Sequence, residues 1–421
     1  MFFKTKTKRA KDLLSAAYKV YNFRRDAMDA QSACAMLELI DELENLIDDG
    51  KVSAARYAEL ERELEELMRK NGGKIYPLTA VADYVDMVVV AGIIALGIRS
   101  FFLQPFKIPT NSMYPSFYGM TSEVYTDEAQ APNLPERLAR KVLKSATNYK
   151  IVSPEDGDAF IELNGAQSPS SRGIFAFDWV GTRDFFIIPS KSRQYTFLTA
   201  KGEQKLVLPA EFPIEDVIVQ AFPNGEKNPA DYVRAKMRAG ELVEHDGRYF
   251  LKLGSFKKGR TILNFDLLGG DMLFVDRFTY NFRKPKAGEP FVFMTKYCDG
   301  LTRLNGGTPD DRYYIKRIAG VGGDTLQVEG STLLRNGKPA DGSPAFERNA
   351  KREGKYCGYI ADGALSNGAK ITVPEKSYYA MGDNSQNSLD SRYWGEVPQK
   401  AVVGKSLIIF YPFTSRWGAT K

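Results

Sequence analysis

One apolar run constrains this chain more than any other feature. Met87–Ile98 is an uninterrupted stretch of 12 apolar or small residues, too short alone to cross a bilayer, which takes about 20. Its flanks extend the run to 81–106, and polar groups near the ends can reach the interface. We therefore predict a transmembrane helix over 81–106; the alternative is a buried helix of a soluble domain. The polar interruptions are Asp83, Asp86, Arg99, Ser100, Gln104 and Pro105.

The segment before this run begins with a basic stretch. Through Arg25 it carries eight Lys and Arg residues against one acid, Asp12, and no apolar signal-peptide core follows. Such a start is either a solvated helix end or a lipid-facing cytoplasmic segment. Because cytoplasmic flanks are rich in Lys and Arg, we expect residues 1–76 in the cytoplasm and everything beyond 106 on the outer face of the membrane.

Residues 1–76 have a helical pattern. Gly50 separates two leucine-containing runs, and Gly72-Gly73 with Pro77 ends the second. We predict a helical hairpin or short coiled coil whose stripes pack against partner helices. The leucines that define the stripes are Leu39, Leu43, Leu46, Leu60, Leu64 and Leu67.

The remaining three quarters of the chain is predicted to be mainly β. Short aromatic and aliphatic runs alternate there with Gly, Pro and Asn, which is typical of strands and turns. One helix is predicted from Pro229 to Glu241, with Asn228 as its cap. The predicted strands include 185–188, 273–275, 291–293 and 407–410.

Histidine and cysteine are scarce. One histidine and three cysteines exclude zinc sites built from several histidines, cysteine-rich clusters and a disulfide-stapled scaffold. We expect no metal and no cofactor. His245 stands in a polar stretch and is expected to face solvent, so a serine hydrolase on this chain needs a base other than histidine.

Two segments contain candidate catalytic groups. Ser112 stands between two prolines just after the apolar run, where a turn serine is the simpler interpretation. Lys316 lies in an aromatic and aliphatic strand, on the same face as Tyr314 and Ile318 and opposite Arg317. If that face is buried, desolvation lowers the lysine pKa and yields a general base. The alternative is an edge-strand lysine pointing into solvent.

A third segment, 381–395, is dense in hydroxyls, amides and turn formers. Asp390 and Arg392 are two residues apart, so in an extended segment they share a face and can pair. A polar surface turn would explain most of this composition, but it explains the closing Trp394-Gly395 less readily.

Together these segments resemble the type I signal peptidases, which are membrane-anchored serine proteases with a Ser/Lys dyad. The family's sequence boxes occur in order, after an apolar span, at 108–115, 270–277, 316–324 and 382–395. The resemblance implies a mainly β catalytic domain of antiparallel sheets, made from residues 107–118 and 269–421.

The resemblance also implies roles. Ser112 would be the nucleophile and Lys316 the general base, with the Ser112 N–H and the Thr110 hydroxyl as the oxyanion hole. Ser388 would orient Lys316. The supporting residues would be an Asp390–Arg392 salt bridge, Met113 beside the site, Asp383 and Asn384 of the final box, and Gly320, Gly323 and Asp324 in the turn after the lysine strand.

The chain departs from the family pattern mainly by a large insertion, 119–268. It could be a substrate-restricting cap, a partner-binding domain or an embellishment. A smaller insert spans 329–373, and Gly322 replaces the usual proline. Cys298 and Cys357 either pair outside the membrane or remain separate buried thiols, and Cys34 would lie in the reducing cytoplasm.

The function that the resemblance implies is removal of signal peptides from secreted preproteins at the outer face of the membrane. Substrates would carry small residues at the cleavage site and bind as an extended strand along a sheet edge. The expected partners are preproteins, the lipid bilayer and the secretion machinery, with no nucleic acid. Two alternatives are a self-cleaving Ser/Lys protease and a catalytically idle, membrane-tethered adaptor of the same fold.

Overall fold

The computed structural model describes residues 6–48, 54–77, 80–165, 173–184 and 188–420. The chain divides into two compact units, Met1–Ile98 and Arg99–Lys421. Gly50 and most of the predicted strand 185–188 lie outside the described residues.

The first unit contains three packed helices, α1 (Lys6–Arg24), α2 (Ala30–Asp48) and α3 (Ala54–Asn71). The prediction of a two-helix hairpin was therefore incomplete, because α1 supplies a third face to the same core. The predicted stripes are partly right: Leu43, Leu60 and Leu64 are buried, whereas Leu39, Leu46 and Leu67 are only partly buried. The fully buried core residues include Ala17, Val20, Met36, Ile40, Leu43, Leu64 and Met68.

The apolar run forms helix α4 (Ala80–Phe101). Its stretch Tyr84–Phe101 is long and apolar enough to cross a membrane, with a mean hydropathy of 1.8, and none of that stretch is buried in the structure. The predicted end at 106 was wrong, because Leu103–Lys107 form a strand instead. Pro105 lacks an N–H and disfavours a helical conformation at Gln104, so the helix ends before them.

The second unit is mainly antiparallel β, as predicted, with short helices between strands. The described helices after α4 are α5 (Leu134–Lys144), α6 (Glu215–Ala221), α7 (Pro229–Arg238), α8 (Asp299–Leu304), α9 (Pro344–Lys351) and α10 (Ser391–Trp394). The described strands are β1 (Leu103–Lys107), β2 (Thr121–Val124), β3 (Ala146–Val152), β4 (Gly157–Glu162), β5 (Phe177–Asp184), β6 (Ile188–Thr199), β7 (Gly202–Pro209), β8 (Leu242–His245), β9 (Arg248–Phe256), β10 (Thr261–Leu268), β11 (Met272–Asp276), β12 (Pro290–Met294), β13 (Tyr313–Val321), β14 (Thr325–Glu329), β15 (Thr332–Arg335), β16 (Lys338–Pro339), β17 (Ile371–Thr372), β18 (Ser377–Met381), β19 (Val397–Pro398), β20 (Val402–Tyr411) and β21 (Gly418–Ala419).

The largest sheet carries the sequence boxes. Its described strands follow the order β1-β11-β20-β12-β13-β18-β19, with β21 added to β20. All of these pairs are antiparallel, and Phe291 of β12 lies opposite Lys316 of β13. The lysine strand is therefore internal to the sheet, and an edge-strand lysine facing solvent is excluded.

The region 119–268 has a core of its own. Strands β2, β10 and β3 form one sheet, and β5-β6-β4-β9-β8 with β7 form another. Apolar side chains such as Ile161, Phe197 and Leu251 are fully buried between these sheets and helices α6 and α7. The α7 helix begins after Asn228, whose side chain accepts from two backbone N–H groups, and ends at Arg238, three residues before the predicted end.

The region 329–373 also folds as a small layer. The sheet β16-β15-β14-β17 and helix α9 enclose a core that includes Leu326, Phe346 and Tyr359. This core is continuous with Tyr379 and Met381 of β18, so the layer packs directly on the main sheet.

Candidate active site

The structure brings Ser112 and Lys316 together. Their Oγ and Nζ atoms lie 2.6 Å apart, although the residues are 204 positions apart in sequence. Both residues are buried, with exposed fractions of 8% and 4%. A serine hydroxyl and an amine at this separation can exchange a proton directly.

Burial sets the protonation of Lys316. Loss of hydration lowers the pKa of its ammonium to about 8, and the carboxylates of Asp390 and Asp383 only partly oppose this effect. The ring of Tyr314 lies 5.6 Å from Nζ, on the predicted same face of the strand. At mildly alkaline pH a large fraction of this lysine is therefore a neutral amine.

Ser112 lies in a single 3-10 turn, Asn111–Met113. Hydrogen bonds from the final sequence box, 382–395, hold this turn. The backbone N–H of Asn384 donates to the Ser112 carbonyl at 3.1 Å, and the Asn384 side chain donates to the Asn111 carbonyl at 3.0 Å. Asn384 thus binds two backbone carbonyls of the serine turn, one with its own backbone N–H and one with its side-chain amide.

Asn111 was missed as a site residue by the sequence analysis. Its side chain accepts from Gly119 N–H and donates to the Met120 carbonyl, each at 3.0 Å, and so ties the two ends of the serine loop together. The signal that could have found it is an asparagine directly before the candidate nucleophile in a turn-forming segment.

Met113 is fully buried below the serine turn. It packs in one apolar cluster with Ile108, Phe117, Leu273 and Val275. Met113 therefore lies directly next to Ser112 in the serine turn, at the position expected for it. This apolar floor leaves the turn little freedom to shift away from Lys316.

Thr110 precedes the serine turn in an extended conformation, and its side chain does not cap that turn. It is exposed at the site. Gly119 approaches the Thr110 backbone so closely that a Cβ there would lie 2.3 Å from the Thr110 carbonyl carbon. The segment that carries the predicted oxyanion donor is therefore fixed by backbone packing.

Asp390 and Arg392 form the predicted salt bridge. Arg392 Nε and Nη2 donate to the two carboxylate oxygens at 2.8 and 2.9 Å, and both side chains are fully buried. The expectation of an extended segment was wrong, because Asp390 caps helix α10 and Arg392 lies in it. Asp390 also accepts from Gly382 N–H at 3.0 Å, so the pair supports the strand end beside the dyad.

A second buried pair joins Arg317 to Asp383. Arg317 Nε and Nη2 donate to the two Asp383 oxygens at 2.8 and 2.6 Å, again with no exposed side-chain surface. Asp383 was expected among the supporting residues without a partner, and Arg317 was expected only on the opposite face of the strand from Lys316. Both faces of β13 are buried at this point, so the arginine requires a carboxylate partner.

Ser388 lies beside the dyad but does not orient it by a hydrogen bond. Its Oγ is buried and, among the described residues, has no hydrogen-bond partner. A Cβ on Gly382 would lie 2.2 Å from that Oγ and 2.5 Å from the Ser112 carbonyl oxygen, so glycine is required between them. The predicted Ser388–Lys316 hydrogen bond is absent among the described residues, and the side-chain hydrogen bond of Lys316 Nζ there goes to Ser112.

The turn after the lysine strand contains the predicted residues. Gly323 has a φ of +90°, a conformation that favours glycine, and the Asp324 side chain accepts from Val321 N–H at 3.0 Å. Gly320 packs against Leu326, where a Cβ would come within 3.0 Å of a methyl group. These contacts connect the lysine strand to the small layer.

The cysteines and the histidine lie outside the site's chemistry. Cys298 is buried and Cys357 exposed, and both are free, as is Cys34, so the predicted alternative of a disulfide is not realised. Burial raises the pKa of the Cys298 thiol to about 12. His245 lies half exposed at the end of β8. In the described part of the chain no group of His, Cys, Asp or Glu is arranged to hold a metal ion.

Comparisons with known proteins identify the family that this chain resembles. The sequence pattern of the family described as "Signal peptidase, peptidase S26" matches residues 263–411. Signal peptidase I S of Bacillus subtilis (strain 168) is 40% identical over 130 residues, which cover 29% of this chain and 67% of that protein. Signal peptidase I of Leptolyngbya laminosa is 32% identical over 142 residues, which cover 34% of this chain and 61% of that protein.

A solved structure is also similar in sequence. A signal peptidase I from Enterococcus faecalis V583 shares 29% identity and has a TM-score of 0.22, covering 29% of this chain and 97% of that one. The chain thus spans between 61% and 67% of the length of the two curated relatives above. The match to the family pattern begins near the end of the large insertion.

Proposed function

This chain belongs to the signal peptidase family, peptidase S26, and on that premise we propose that it removes signal peptides from secreted preproteins with a Ser112–Lys316 dyad. The observation that supports the proposal most directly is the 2.6 Å separation of Ser112 Oγ and Lys316 Nζ in a buried site. A lysine whose pKa is lowered to about 8 by burial is matched to the work of a general base.

The reaction divides into two steps. Neutral Lys316 takes the proton from the Ser112 hydroxyl while Oγ attacks the scissile carbonyl carbon. The resulting ammonium then gives that proton to the leaving amine, which forms the acyl-enzyme. In the second step, neutral Lys316 takes a proton from water, the hydroxide attacks the ester carbonyl, and Ser112 leaves with the proton.

The developing oxyanion needs donors that are in place before the reaction. The Ser112 N–H and the Thr110 hydroxyl are assigned that role. One such donor is worth about 3 kcal/mol of barrier. The tight packing of the extended Thr110 backbone against Gly119 supports this assignment, because it fixes the backbone position from which the hydroxyl projects.

Burial, and not the two ion pairs, is what lowers the pKa of Lys316 most. The carboxylates of Asp390 and Asp383 raise that pKa, and the Arg392 guanidinium lowers it. Each carboxylate accepts two hydrogen bonds from its own arginine. The site therefore holds two acids near a buried amine, and the effect of burial on its pKa still prevails.

The proposed substrates are preproteins with small residues at the cleavage site, bound as an extended strand at a sheet edge. We propose that α4 is the membrane anchor, with the N-terminal helices in the cytoplasm and the catalytic sheet on the outer side. The stretch Tyr84–Phe101 of α4 is unburied along its length, which supports this proposal because an apolar helix of this length needs an apolar surrounding. Association with the secretion machinery belongs to the same proposal.

Cleavage of a preprotein by membranes that contain the full chain tests the function. The wild type should release the mature protein, and Ser112→Ala and Lys316→Ala should not. Lys370→Ala is a matched control because Lys370 is an exposed lysine outside the site. Full activity in either site variant would refute the dyad, and an inactive wild type beside an active relative would favour the adaptor alternative.

A further inference from the structure

Helix α5 in the large insertion exposes its apolar side. Leu134, Leu138 and Val142 are spaced four residues apart and share one face. Their exposed fractions are 80%, 66% and 59%, and no residue of this helix is buried. A surface helix of a globular domain normally turns such a face toward the core.

The polar side of the same helix holds it on the protein. Arg140 donates to Asp266 at 2.8 Å and also pairs with Glu123, and it is largely buried between them. The hydroxyl of Tyr411 donates to the carbonyls of Lys141 and Val142 at 3.2 and 2.9 Å. The amphipathic helix is thus inverted, with ion pairs inside and leucines outside.

This attachment links the insertion to the catalytic sheet. Phe413 N–H donates to the Leu143 carbonyl at 3.0 Å, just beyond the end of β20. Phe413 and the nearby Trp417 are both exposed, at 58% and 56%. Phe413 therefore adds an exposed aromatic residue in the segment bonded to the C-terminal end of α5.

Charge accompanies this apolar face. Lys141 and Lys144 lie in the last turn of α5 and are exposed. A helix with an exposed apolar face and cations in its last turn has the composition of a helix that lies in a lipid interface. Cations beside the apolar face complement anionic headgroups.

We propose that α5 is an interfacial helix that inserts Leu134, Leu138 and Val142 into the surface of an anionic bilayer. The proposal goes beyond signal-peptide cleavage, since these residues lie outside the region 263–411 that matches the family. It assigns the insertion a second lipid contact besides the proposed α4 anchor. Because α5 is fixed to β20, its insertion restrains the catalytic sheet relative to the membrane surface.

The test measures contact between α5 and lipid in the full chain. The protein is placed in vesicles of phosphatidylcholine with about 30% phosphatidylglycerol. A fluorophore is attached at Leu138→Cys, in a background that carries Cys34→Ser and Cys357→Ser to remove the exposed thiols. Glu136→Cys is the matched control, because Glu136 is exposed on the other side of the same helix.

We expect bromine-labelled acyl chains to quench the fluorophore at position 138 by roughly half or more, and the one at position 136 much less, because interfacial helices bury about 5–10 Å deep. The opposite order should hold for an aqueous quencher. Replacing phosphatidylglycerol with phosphatidylcholine should weaken the lipid quenching at 138.

Equal quenching at 138 and 136 by both agents would overturn the proposal. Protection of position 138 from lipid and aqueous quenchers alike would also overturn it and indicate that protein covers the face. Preprotein cleavage by the same samples is the independent readout: cleavage without lipid quenching defeats this inference alone, whereas quenching without cleavage defeats only the proposed function.

Discussion

The catalytic sheet and the large insertion differ in how far their charged side chains are withdrawn from water. Around the dyad, two arginines, two aspartates and a lysine are withdrawn from water, and both ion pairs are fully buried. The insertion has an apolar core, and its Arg140 pairs keep some contact with solvent. Buried charge is costly unless it is paired, so its concentration beside Ser112 is consistent with a functional role.

The largest expected effect is the loss of cleavage on replacing Lys316, the buried amine of the catalytic region. Lys316→Met replaces the buried amine with an apolar side chain of similar length. We expect preprotein cleavage to fall by about 10⁴-fold or more. The free energy of unfolding should stay the same or rise, because the cost of desolvating the amine disappears. Single-turnover cleavage and denaturant unfolding measure the two quantities; a large loss of stability would mean that the lysine is structural.

The second prediction compares one ion pair from each region. Arg392→Ala leaves the buried Asp390 carboxylate without its partner and should cost about 3–5 kcal/mol of unfolding free energy. Arg140→Ala in the insertion should cost less, because Glu123 is partly exposed and the buried Asp266 carboxylate keeps hydrogen bonds from Tyr125 and Asn148. Unfolding of the full chain in detergent, followed by denaturant titration, compares the two. Equal costs would refute the contrast between the regions.

The third prediction concerns the oxyanion donor. Thr110→Val keeps the shape and removes the hydroxyl, so turnover should fall by about 10²-fold. Thr110→Ser should retain most of the activity, since it keeps the donor. Steady-state cleavage by both variants decides the matter: a fully active Thr110→Val protein would remove Thr110 from the oxyanion hole.

The fourth prediction is a pH dependence that only the catalytic region should show. Because the pKa of Lys316 is lowered to about 8, cleavage should rise about tenfold per pH unit below 8 and level off above it. The folded state binds fewer protons than the unfolded state between the lowered pKa and the ordinary lysine pKa of 10.5. The contribution of Lys316 to stability should therefore increase as pH rises through that window.

This stability difference should disappear in Lys316→Met, which serves as the control for other titrating groups. Paired unfolding curves of the wild type and the variant at several pH values measure it. A difference that falls with rising pH would contradict the sign.

The smallest expected effect concerns Ser388. Its buried hydroxyl has no partner among the described residues, so Ser388→Ala should change the unfolding free energy by less than about 1 kcal/mol. If the hydroxyl contacts Lys316 only when substrate is bound, turnover should still fall. Measuring cleavage beside unfolding separates the two: a large loss of stability would mean that the hydroxyl makes a bond in the resting protein.

Several features were readable from the sequence because they depend on local patterns. The β character after the apolar run, the helix cap at Asn228 and the strand that carries Lys316 all follow from spacing and turn residues. The candidate dyad came from the order of boxes that resemble a family. Periodicity alone did not separate Lys316 from a solvent-facing lysine.

Other features depend on contacts between distant segments. Pro105 disfavours continuation of α4 locally, but the strand Leu103–Lys107 that follows the helix forms through its pairing with β11. Helix α1 was not predicted, because its contribution to the core depends on packing against α2 and α3.

The sequence by itself determined which residue types were available for chemistry: one histidine, a serine after an apolar run, and a lysine in an apolar strand. The tertiary structure alone decided that Lys316 is internal, that Arg317 faces Asp383, and that the leucines of α5 point outward. The physical reason is that burial, and with it the lowered pKa of Lys316, is a property of surroundings assembled from distant parts of the chain.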